Sequence, residues 1–286
     1  MRRLCIEHVT EYVFHQTVSL LDHRLLLRPR EDHGVHIASS QLTITPAATI
    51  RWQRDALNNS VAVASFSGKT KGLRIASSVV IDHYDEAPLD FLVDEHGVTH
   101  PFFYDHHDAG LLAPFLAPSW SDAGAVVQRW LHDLGLGREP TETFALLDRV
   151  NNEIHRGVRY EARDEAGVQS PADTVARGVG SCRDLAALFV DASRHLGLAS
   201  RFVSGYSHAP GVQPKGAGST HAWAEVYLPG PGWKGFDPTA GQLTGADHIA
   251  VAVSRDAHRV PPVAGSFIGV AAPQPLLQVS VRVSPA

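Results

Sequence analysis

Apolar residues in the first 85 positions come in short or alternating runs: Leu4 with Ile6, Leu25 to Leu27, Leu42 with Ile44, Val61 with Val63, and Leu73 to Ile81. A period of two belongs to half-buried strands, and Pro29, Pro46, Asn58-Asn59 and Gly68 supply the breaks between them. The pattern predicts an antiparallel, β-sandwich-like amino-terminal domain over residues 1–110. From Ala87 to Ser119 prolines and aromatics recur without a period, which predicts a connection with little regular structure.

The period then lengthens to that of helices. Ser121 is placed to cap a helix through Trp130, and Thr141 to cap one with apolar face Phe144, Leu147, Val150 and Ile154, closed by Gly157. Ser170-Pro171-Ala172-Asp173 is a further start signal, with a capping serine and proline at the first helical position. Leu185, Leu188, Phe189, Ala192 and Leu196 repeat at helical spacing up to Gly197, which puts Cys182 at a helix N-terminus. SRFVSGY and HAWAEVYL alternate as strands, Pro229-Gly230-Pro231-Gly232 turns the chain, and WKGFD makes a third short strand. Helices followed by antiparallel strands make residues 111–286 a second, α+β unit with a C-terminal extension.

Composition narrows the partners. With 44% hydrophobic and 19% charged residues of interleaved sign, the chain reads as a folded globular protein. A net charge of -5 and a pI near 6.4 give no basic footprint for nucleic acid. Glu7, His8 and Glu11 interrupt the start as a signal sequence, and no run approaches the roughly 20 apolar residues of a membrane span. The expectation is a cytoplasmic protein without a membrane partner.

Two cysteines make neither a disulfide framework nor a zinc spacing. Cys5, in a strand-like run, reads as a small buried hydrophobe. Cys182 differs, because the positive end of a helix favours a thiolate, the nucleophilic form. Its own N–H is a natural half of an oxyanion hole, and the glycines before it leave room for a substrate. A half-buried structural cysteine is the competing reading.

Alternation puts His221 on one face with Trp223, Glu225 and Tyr227. Asp237 follows 16 residues later, at the end of the next strand. Ideal register about the turn sets Asp237 opposite Ala224, on the other face, and only a one-residue slip or a bulge brings it to His221. In that register Asp237 could orient the imidazole while His221 exchanges a proton with Cys182. Elsewhere His96 and His100 are four apart, but Gly97, Thr99 and Pro101 oppose a helix, so HGVTH and DHHD read as solvated loop and no metal site is expected. No calcium loop is present in the sequence either.

GVGSCRDLAALFVDASRHLGLASRFVSGY, followed by STHAWAEVYLPGPGWKGFDPT, resembles the core of the bacterial transglutaminase-like family over roughly residues 140–245. The amino-terminal strands more loosely resemble the β-rich domain that precedes this core. The family's three diagnostic positions fall on Cys182, His221 and Asp237. The resemblance implies a papain-like fold in which Cys182 attacks a glutamine carboxamide or peptide carbonyl and leaves a thioester for an amine or water to resolve. It implies a protein or peptide substrate, an amine acceptor where transfer occurs, and no cofactor. It also implies an upstream oxyanion donor, for which Tyr160 and Gln169 are the candidates. Arg183 and Asp184 in the first helical turn read as structural, with a direct part for Asp184 as the alternative, and Trp223, Tyr206 and Trp233 either line the acyl cleft or belong to the core. Acyl transfer and hydrolysis by a cysteine peptidase or amidase both remain open, and a non-enzymatic interaction scaffold is the rival from another class.

Overall fold

The fold is given by a computed structural model that describes residues 1–84, 87–120, 124–163, 167–208, 220–269 and 273–286. The expected amino-terminal strands are present. Strand Arg2–Leu20 lies between Thr70–His83 and Leu276–Pro285, both antiparallel to it, and Val35–Thr45 pairs with the far side of Thr70–His83. A second sheet runs in the order Val263–Ala264, His23–Leu25, Ser60–Phe66, Ala48–Arg54. Phe14, Val18, Leu73 and Ile75 of the first sheet bury against Leu25, Ala62 and Ala64 of the second, each large side chain contributing roughly 1.5–3 kcal/mol. The C-terminal extension therefore returns to the amino-terminal sheets and completes both.

Residues 87–119 hold more structure than their composition predicted. They contain a helical turn Glu95–Val98, a short strand Thr99–His100 and a helix His106–Leu116. Asp105 caps the last of these, its carboxylate accepting from the N–H groups of His107 and Asp108 at 2.9 and 3.0 Å. DHHD is thus a helix start, masked in the sequence by Pro114 inside the helix. His100 is buried and donates through Nε2 to the Leu196 carbonyl at 2.7 Å, so HGVTH is not a solvated loop.

Helix Gly124–Asp133 follows, and its expected cap, Ser121, lies outside the described residues. Helix Thr143–Gly157 is capped by Glu142, one residue beyond the expected Thr141, its carboxylate accepting from the N–H groups of Phe144 and Ala145. Ser170 caps Pro171–Arg177 as expected, with Oγ accepting from the Asp173 N–H at 3.1 Å.

The helix Cys182–His195 is buried along most of its length and packs on a five-stranded sheet. That sheet runs Gln242–Leu243, Gly232–Asp237, Thr220–Leu228, Ser200–Ser207, His248–Ser254. Phe189 of the helix stacks on Phe236 with centroids 5.3 Å apart. One apolar cluster joins Leu4 and Ile6 to Leu188, Phe189 and Phe202, so the two parts of the chain share a core. Among the described residues no helix is long and apolar enough to cross a membrane.

Candidate active site

Cys182 is the first residue of its helix, so its backbone N–H has no acceptor within the helix. Ser181 and Asp184 build the turn before it as a capping box: Asp184 Oδ2 accepts from the N–H and the hydroxyl of Ser181, both at 2.8 Å. Oδ1 of the same carboxylate accepts from the Gln169 N–H at 2.7 Å, and Arg163 Nε lies 3.0 Å from Oδ2. Asp184 is fully buried, occupied by three hydrogen-bond donors and ion-paired with Arg163. It fixes the helix start that carries the sulfur.

The glycine before this turn serves packing rather than substrate access. A Cβ on Gly180 would sit 3.0 Å from Asp184 Cβ and 3.1 Å from Leu185 Cδ1, so the helix itself fills that space.

His221 and Asp237 come from neighbouring strands, and the hairpin settles the question the sequence left open. Leu228 pairs with Gly232 and Ala224 with Phe236, so the turn holds residues 229 to 231 and the register is one step from the ideal four-residue arrangement. Asp237 thereby continues on the face of Trp223 and His221. His221 Nε2 meets Asp237 Oδ2 at 2.7 Å. The other imidazole nitrogen remains for Cys182, whose side chain is near enough to His221 to help raise the ring's pKa.

The carboxylate of Asp237 is buried and uses both oxygens. Oδ1 accepts from the N–H groups of Thr239 and Ala240 at 2.9 and 3.4 Å. Oδ2 accepts from His221 and also from His248 Nε2 at 3.0 Å. Burial works against ionisation, yet the hydrogen bonds from His221 and His248 outweigh it and hold the carboxyl well below its ordinary range. For His221 burial likewise disfavours the charged ring. Hydrogen bonds to Asp237 and Cys182, with their charges, prevail and push its pKa up to about 10.

Tyr160 stands beside this centre, because the parallel pair Arg159–Tyr160 and Val179–Gly180 sets it against Gly180. Burial, then the charge of Cys182, raises its phenol pKa. Gln169 is buried, and its amide nitrogen donates to Thr174 Oγ1 and to the Val179 carbonyl, each at 3.0 Å. Trp223 lies beneath the polar cluster, fully buried, with its ring 5.3 Å from that of His248. Tyr206 is also buried, but it sits opposite Thr220 while Gly205 sits opposite His221, so it faces away from the histidine. Its hydroxyl donates to the Leu27 carbonyl at 3.2 Å and lies 3.0 Å from His8 Nδ1. Trp233 instead takes Arg201 over its ring at 4.1 Å.

His248 is the residue that sequence reasoning missed. It opens the apolar run HIAVAVS, a strand signal, but nothing in its spacing ties the ring to Asp237. Ligand-type atoms of His221, Asp237 and His248 lie within 4.8 Å of one another. Both close contacts are N–H to carboxylate hydrogen bonds, so the trio is a proton-linked cluster.

A helix-borne cysteine facing a histidine–carboxylate pair on an antiparallel sheet defines the transglutaminase-like, papain-related class of thiol folds. Residues 134–238 match the model of the transglutaminase-like superfamily, and residues 4–82 that of the bacterial transglutaminase-like N-terminal region. The chain belongs to the bacterial transglutaminase-like family. An uncharacterized protein of Mycobacterium tuberculosis is 29% identical, the match covering 99% of this chain and 93% of that protein. Another, of Mycobacterium leprae, is 24% identical with 94% of each covered. A solved structure from Cytophaga hutchinsonii, described as a candidate cysteine protease, superposes with a TM-score of 0.74 at 19% identity over 99% of this chain and 90% of that one. At that identity the likeness speaks for the fold.

Proposed function

We propose that the chain is a thiol-dependent enzyme that transfers acyl groups from amide bonds. Cys182 gives its proton to His221 and attacks a glutamine carboxamide or peptide carbonyl. His221 returns the proton to the departing ammonia or amine, and the thioester left on the sulfur is taken up by an amine or by water. Asp237 holds the ring in one tautomer and stabilises its cationic form. The Cys182 N–H and the Tyr160 hydroxyl receive the developing oxyanion. The reading is carried by one observation: a single imidazole is hydrogen-bonded to a buried carboxylate and stands close enough to a thiol at a helix N-terminus for the sulfur to help hold the ring's proton.

Hydrolysis of peptide or isopeptide bonds is the second reading, favoured by the description of the Cytophaga hutchinsonii neighbour as a candidate cysteine protease. Incubation of the full chain with a carboxamide peptide, with and without a primary amine, separates the two by mass spectrometry. Loss of ammonia with gain of the amine marks transfer, and a new carboxylate or a cut backbone marks hydrolysis. Absence of both products, with a Cys182 no more reactive than a free thiol, would leave a non-catalytic scaffold.

A further inference from the structure

We propose that His248 is a positioning residue of this site, a neutral donor that clamps the Asp237 carboxylate from the side opposite His221. The inference rests on the acyl-transfer reading and adds a fourth side chain to it.

The location of the proton on the ring follows from its neighbours. The backbone N–H of Gly245 points at His248 Nδ1 at 3.4 Å, and an amide N–H can only donate. Nδ1 is therefore the acceptor, and the proton sits on Nε2, which donates to Asp237 Oδ2 at 3.0 Å. One carboxylate oxygen thus holds two imidazole N–H groups.

The ring is fixed on every side. Its side chain is 4% exposed, and it stands edge-on to Trp223 with centroids 5.3 Å apart. Its carbonyl accepts from Nε2 of His83, at the end of the amino-terminal strand Thr70–His83, at 3.0 Å. The titratable groups around the clamp are Asp237, His221 at a ring separation of 6.0 Å, His83 behind the backbone, and Cys182 beyond His221.

One effect on the reaction follows. With Oδ1 tied to backbone amides and Oδ2 held between two rings, the carboxylate cannot rotate away when His221 takes the sulfur's proton.

Two full-length variants test this: His248→Phe, which keeps a ring and loses the donor, and His248→Gln, which keeps an N–H donor. Cys182 alkylation by iodoacetamide is followed by mass spectrometry from pH 5 to 10, and the His221 titration by NMR of 15N-histidine-labelled protein. His248→Phe is expected to slow alkylation below neutral pH by about tenfold, the worth of one hydrogen bond to a charged group. It also moves the His221 midpoint down from about 10. His248→Gln stays near wild type in both. An unchanged profile in His248→Phe would overturn the proposal. If His248→Phe does not fold, wild-type spectra decide: an Nε2–H tautomer for His248 supports the clamp and an Nδ1–H tautomer refutes it. His221→Gln separates the two levels of inference. If it too leaves Cys182 reactivity unchanged, the acyl-transfer reading fails; if it lowers reactivity while His248→Phe does not, only the clamp fails.

Discussion

Asp237 meets His221 at 2.7 Å because the turn between their strands holds residues 229 to 231, a length that places both side chains on one face of the sheet. Gly230 sits in that turn at φ +96, a conformation that L side chains rarely adopt, and a Cβ there would come within 2.9 Å of Asp94 Oδ1 and of the Leu92 carbonyl. Gly230→Ala is expected to cost about 1–3 kcal/mol of stability, from backbone strain and the clash together. A denaturant titration with a lowered midpoint and unchanged slope would show it.

Helices and strands of the core were legible because each rests on a local signal, the Ser170 cap, the period from Leu185 and the alternation from His221, whereas Cys182, His221 and Asp237 were singled out together by the resemblance to the family motif. The pairing of Asp237 with His221 was not legible, since it depends on one residue of turn length that Pro-Gly-Pro-Gly leaves ambiguous. His248 was invisible for a related reason. Its ring reaches Asp237 from a strand on the far side of Ser200–Ser207, and no sequence period encodes a contact across a sheet. The helix at His106–Leu116 was hidden by Pro114, where packing overrides propensity.

Asp237→Asn keeps the shape of the side chain and removes its charge, the source of both a hydrogen bond and the field that keep His221 protonated. The alkaline limb of turnover, where the leaving group needs the imidazolium proton, is expected to move from about pH 10 toward the ordinary histidine value of 6.5. The rate near neutral pH falls by about 10²-fold or more. A pH–rate profile for the variant checks both.

Stability has a matching pH dependence. His221 holds its proton in the fold up to about pH 10 but releases it near 6.5 when unfolded. Between those values the native chain binds more protons, so this contribution is complete below pH 6.5 and is lost as pH rises toward 10. Asp237 acts at the acid end: its carboxyl is held below 3.8, so its contribution is present above that pH and is lost on acidification. Denaturant titrations in a Cys182→Ala background, free of the sulfur's own ionisation, are expected to show stability falling above pH 6.5. Adding His221→Gln should flatten that slope.

Asp184→Ala removes the acceptor for Ser181 and Gln169 and the ion-pair partner of Arg163 at the start of the nucleophile helix. Buried donors left without partners predict a loss of about 3 kcal/mol, measurable as a lower denaturation midpoint. Asp184→Asn, which keeps one acceptor oxygen, should lie between the two.

Tyr160 is 41% exposed, so Tyr160→Phe should leave the thermal midpoint nearly unchanged. As an oxyanion donor its loss predicts a fall of about 10²-fold in kcat with little change in KM. Steady-state kinetics on any peptide found to react would read this directly.

The pairing of Arg2–Leu20 with Leu276–Pro285 joins a segment made before the nucleophile helix to one made after it. Until residues near 285 emerge, the opening strand waits with one edge bare, through the whole synthesis of the nucleophile helix and its sheet. A message cut short before residue 276 would yield a chain with every catalytic side chain present and a sticky, unfinished border, matter for proteases rather than for chemistry.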